Sequence, residues 1–96
     1  MLIVELIYKK PLEQVEAYLA EHRDFLNTYY DDGTFLASGP KEPRKGGVIL
    51  ALCDQDKMAE IIKQDPFCIN DIADYKLTEF HVVKCCEALE SILKKN

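Results

Sequence analysis

The chain opens on an apolar run, Met1 to Tyr8, broken only by Glu5 and closed by Lys9, Lys10 and Pro11. Its length and its β-forming residues predict a strand. Alternation sends Leu2, Val4, Leu6 and Tyr8 to one face and Ile3 and Ile7 to the other. From Pro11, a residue suited to the first turn of a helix, apolar side chains recur at Leu12, Val15, Leu19, Phe25, Leu26 and Tyr29. That period predicts one long helix ending before Gly33. The Asp32-Gly33 turn leads into a short strand, Thr34 to Ala37, followed by Ser38-Gly39-Pro40 and a polar loop through Gly47 that carries Lys41, Arg44 and Lys45.

Val48 to Cys53 is continuously apolar and predicts a central strand buried on both faces. Asp54 is placed to cap a second helix, with Met58, Ile61 and Ile62 as its inward stripe and Pro66 as its stop. After a turn through Asn70, the weak alternation from Tyr75 to Lys84 predicts a last strand, and Glu87 to Lys95 a short terminal helix with Leu89, Ile92 and Leu93. The order βαββαβ plus a tail helix is the ferredoxin-like α+β pattern: a four-stranded antiparallel sheet with both crossover helices on one face. Residues 1–96 are expected to form a single domain. The helices can cover only one face of strands that are apolar on both. Each large side chain left bare forgoes about 1.5 to 3 kcal/mol of burial, so a second copy packed sheet to sheet is the expected cover. The alternative cover is the terminal helix of the same chain.

Charge narrows the partners. Seventeen acidic against twelve basic residues give a net charge of −5 and a pI near 4.9, which disfavours nucleic acid and anionic lipid. No apolar run is long enough to span a bilayer, and no basic segment followed by a small-residue cleavage site opens the chain, so a cytoplasmic location is expected. Cys53, Cys68, Cys85 and Cys86 show no CxxC spacing and are expected to be reduced thiols.

His22 falls in register with the inward helix stripe, three after Leu19 and four before Leu26, so its ring should point to the sheet. A histidine so placed is either a core residue held by a hydrogen bond or, beside an acid, a general base, since an ordinary pKa of about 6.5 leaves it largely neutral at pH 7. Asp65, Asp31 and Asp32 are the acids that qualify. Asp65 precedes Pro66 and should cap the following turn, whereas Asp31 and Asp32 lead into the glycine turn. Ser38 lacks the GxSxG context of a nucleophile but begins a loop whose amides suit an oxyanion. His81, Cys85 and Cys86 straddle a strand end and a helix start with no second ligand pair, so no metal is expected.

The segments Glu21-His22-Arg23-Asp24-Phe25-Leu26, Asp32 to Pro40 and Asp65-Pro66-Phe67 together resemble the YCII-related (YciI-like) family over nearly the whole chain. The resemblance implies a dimeric α/β barrel and a His-Asp site in a cleft. Carried onto this sequence, that site is His22 and Asp65, with Ser38 and Gly39 at the rim and Gly39, Pro40 and Phe67 as ligand contacts. The chain departs from the family pattern at Leu19, where a basic residue is expected shortly before the histidine. The expected function is cofactor-free acid/base chemistry of a lyase, isomerase or dehalogenase kind on a small organic molecule. In that chemistry His22 is the base, Asp65 its orienter, and Ser38 with the Gly39 amide the holder of negative charge. The alternative is a non-catalytic dimeric module that binds a small ligand or a protein, with His22 and Asp65 serving structure alone.

Overall fold

The computed structural model describes residues 1–94. Strands β1 (Leu2–Tyr8), β2 (Phe35–Pro40), β3 (Gly46–Ala51) and β4 (Ala73–Glu79) form one antiparallel sheet in the order β2-β3-β1-β4. Between them lie helices α1 (Leu12–Ala17) and α2 (Leu19–Asp31), then α3 (Gln55–Ile62) and α4 (Pro66–Ile69), with α5 (Glu87–Lys94) at the end. This is the ferredoxin-like α+β arrangement. The central position of β1 follows from its composition, since it is apolar on both faces and is the strand that can be flanked on both sides.

The register assigns the faces. Leu2, Val4 and Leu6 stand opposite Ala51, Ile49 and Gly47 of β3, and this row is buried against Val15, Phe25, Met58 and Phe67 from the helices. The intervening row, with Ile3, Val48 and Leu50, is only half buried, and Ile7 is 40% exposed. Helix α5 buries no residue, so the terminal helix does not seal a face of the sheet.

Several boundaries differ from the sequence pattern, those of the strands for a pairing reason. The partners of Leu2 are Ala51 and Glu79, so β3 and β4 run out where β1 begins, and the apolar pairs after them, Leu52-Cys53 and Val82-Val83, lie outside the sheet. Ser38-Gly39-Pro40 is not a loop but the end of β2. Lys41 N–H donates to Gly46 O at 2.9 Å, and by ladder alternation Gly39 also bonds to β3 while Pro40 falls at a position that needs no donor. The long first helix is interrupted at Tyr18, whose φ of −108° and ψ of 6° separate α1 from α2. Pro66 does not merely end α3; it opens α4 at its first turn.

Gly46 fixes how closely β1 and β3 approach, because a Cβ there would lie 1.8 Å from the Leu6 carbonyl oxygen. Gly46→Ala is therefore expected to destabilise the fold by about 3 kcal/mol or more, as an overpacked backbone contact that no rotamer relieves. Urea unfolding measures it, and a loss below that of Gly47→Ala, where the nearest atom is Gly39 O at 3.1 Å, would contradict the assigned strand approach.

Candidate functional site

The inward face of α2 carries His22 between Leu19 and Leu26, and the residue is 8% exposed. Residue 65 comes to it from a different part of the chain. Preceding a proline, Asp65 takes an extended conformation (φ −72°, ψ 125°) and caps α4, its Oδ1 accepting from Phe67 N–H at 3.0 Å. The same oxygen lies 2.7 Å from His22 Nδ1. The other oxygen, Oδ2, accepts from the Tyr75 hydroxyl at 2.6 Å. Asp65 is completely buried, and these donors satisfy its carboxylate; among the described residues no buried side-chain polar atom lacks a partner.

This network decides the imidazole tautomer. An ionised carboxylate can only accept, so Nδ1 carries a proton, and in the neutral imidazole the lone pair lies on Nε2. Nε2 has no protein partner among the described residues. Phe67 fixes the ring plane, stacked on the imidazole with centroids 4.0 Å apart and 6° between planes. Burial, and secondarily the neighbouring Asp65 charge, push the Tyr75 hydroxyl far above the ordinary phenol range, so it remains a donor.

His22 forms part of the wall of a cavity of about 500 Å³ between α2 and the sheet. Leu6, Leu19, Leu26, Ile49 and Phe67 give it apolar sides, and Tyr8, Arg23, Ser38 and Arg44 are its polar groups. Ser38, Gly39 and Pro40 line it from β2, on the opposite side from α4. The Ser38 hydroxyl is 2.6 Å from that of Tyr30. The Gly39 amide, expected to face a ligand, is instead spent on the β2–β3 ladder. Asp31 is exposed, and Asp32 accepts from Thr34 N–H at 2.9 Å; hydrogen bonds from Thr34 hold its carboxyl below the usual range. Neither bonds to His22.

Of the basic loop, Arg44 reaches the cavity, kept protonated by Tyr8 and by Glu16, which is 3.1 Å away, while Lys41 pairs with Glu5. No cluster of three or more metal-ligating side chains occurs among the described residues. The sequence pattern gives no site role to Tyr75, Tyr8 or Arg23, and it reads Tyr30, with Tyr29 at the helix end, as packing. Tyr75 was within reach of it, because its spacing of two from Leu77 puts both on the helix-facing side of β4.

The Tyr75 proton has a measurable consequence. In the unfolded chain a tyrosine ionises near pH 10, whereas in the folded chain this one keeps its proton, so its contribution is intact below about pH 10 and declines as pH rises beyond. Tyr75→Phe is expected to cost about 1 to 3 kcal/mol at pH 7 and to flatten the alkaline loss of stability by up to about 1.4 kcal/mol per pH unit. Parallel urea-derived stability curves for the two proteins between pH 7 and 11 would contradict the Tyr75–Asp65 bond.

Comparison with solved structures finds the same fold in 5-chloro-2-hydroxyhydroquinone dehydrochlorinase (TftG) from Burkholderia phenoliruptrix AC1100, in complex with 2,5-dihydroxybenzoquinone. The TM-score is 0.70 at 15% sequence identity, covering 84% of this chain and 94% of that one. At that identity the likeness is one of architecture. Comparison with curated proteins returns no match. The YCII-related domain matches residues 1–81, from the first strand through the last, and the chain therefore belongs to the YCII-related family.

Proposed function

We propose that this protein is an enzyme that removes a proton from a small organic molecule bound in the cleft, with His22 Nε2 as the base. The observation that carries this reading is the 2.7 Å bond from His22 Nδ1 to a fully buried carboxylate, on a ring that forms a wall of a ligand-sized cavity. Nε2 takes the proton, and the electron pair left on the substrate either moves onto an adjacent oxygen or expels a leaving group. Asp65 holds the ring in the required tautomer and offsets the charge of the imidazolium. Ser38, tied to Tyr30, is the hydroxyl placed to donate to the developing anion, and Gly39, Pro40 and Phe67 are ligand contacts. No cofactor enters this scheme. A dehydrochlorination, the reaction named for TftG, is one elimination such a base serves.

In the same reading the protein is a cytoplasmic homodimer packed through the half-covered sheet face. Ile3, Val48 and Leu50 on that face, with the exposed Ile7, supply the apolar area that a second sheet would bury. Light scattering at micromolar concentration is expected to give twice the 11.0 kDa chain mass, and Leu50→Glu to return the mass of one chain. A single-chain mass for the unaltered protein ends the dimer proposal.

Activity is tested by chloride release from 5-chloro-2-hydroxyhydroquinone and by wash-in of solvent deuterium at the acidic carbons of a panel of carbon acids. His22→Gln is expected to lower either rate by about 10²- to 10⁴-fold while remaining folded. A wild-type protein inert in both assays, or a His22→Gln protein with unchanged rates, retires the general-base reading.

A further inference from the structure

The charges on the cavity wall are of one sign. The chain as a whole carries −5, yet no aspartate or glutamate lines the cleft, and its charged side chains are Arg23 and Arg44, with His22 beside them. Asp65 lies behind His22, fully buried and spent on its donors. Arg44 is partly offset by Glu16, at 3.1 Å. Arg23 is exposed, one residue beyond His22 on α2, and has no ion-pair or hydrogen-bond partner among the described residues. A cationic wall in an acidic protein concentrates anions.

The remaining wall is apolar, with Leu19 and Leu26 on the helix side facing Leu6 and Ile49 on the sheet. A volume of about 500 Å³ suits a small molecule rather than a chain segment. We infer that the cleft takes a small organic anion, a carboxylate on a compact apolar body, with the charge held by Arg23 and Arg44 and the body packed between Leu19, Leu26, Leu6 and Ile49. The inference deepens the proposed function by naming the substrate class of the same cleft.

The probes are 2-naphthoate and its uncharged counterpart 2-naphthamide, titrated into the full chain while amide and side-chain resonances are followed by NMR. Saturable shifts at Leu19, Leu26, Ile49 and Phe67 are expected with 2-naphthoate, weakening as salt is raised, and binding of 2-naphthamide at least about tenfold weaker. Arg23→Met, which removes no internal bond and is checked for folding by its free amide spectrum, is expected to weaken 2-naphthoate about tenfold and leave 2-naphthamide unchanged. Equal binding of the two probes, shifts confined to other surfaces, no shift at all, or 2-naphthoate binding unaffected by both Arg23→Met and Arg44→Met would each overturn the inference. Proton removal is read separately. Binding without turnover retires the base and keeps the ligand class, whereas turnover in a cleft indifferent to charge does the reverse.

Discussion

A carboxylate with no access to water is the constraint around which this molecule is organised. Leaving Asp65 buried and unpaired would cost several kcal/mol, comparable to the whole stability of a small domain. Its donors come from three separate elements: the imidazole of His22 on α2, the backbone N–H of Phe67 in α4, and the hydroxyl of Tyr75 on β4. The charge thus ties helix α2, distant in sequence, to α4 and to strand β4. The orientation of the imidazole follows from the same requirement, because the ring cannot turn away without removing one of the three donors to the acid.

That dual role explains how far the sequence could be read. The position of His22 on the inward face was legible because helical spacing from Leu19 and to Leu26 is a local property, and so was the capping role of Asp65 before Pro66. Which acid meets the imidazole was not legible from spacing, and only the family resemblance pointed to Asp65. Asp31 and Asp32 are nearer in sequence, and only the docking of α4 beside α2 brings residues 22 and 65 together. Tyr75 was missed for a similar reason: its spacing with Leu77 assigns it a face, but nothing local says that its hydroxyl ends on a carboxylate.

The strand errors carry a different lesson. Serine, glycine and proline in succession read as a turn, yet Ser38 to Pro40 continue β2 because an edge strand needs only every second N–H, and proline occupies a position that needs none. Apolar runs likewise overstated β3 and β4 at their C-terminal ends, since hydrophobicity signals burial while strand length is set by the partner. The family match covers residues 1–81 and so stops short of the amphipathic helix α5, none of whose described residues is fully buried.

The cleft is assembled from parts with separate obligations. The groups around the imidazole are bound to the integrity of the fold through the shared carboxylate, while Arg23, exposed at the rim and without an ion-pair or hydrogen-bond partner among the described residues, bears no part of that duty. Selection can therefore exchange the latter without disturbing the former. The scaffold thus leaves what the cleft admits open to change at its rim while the buried acid and the ring it orients stay fixed.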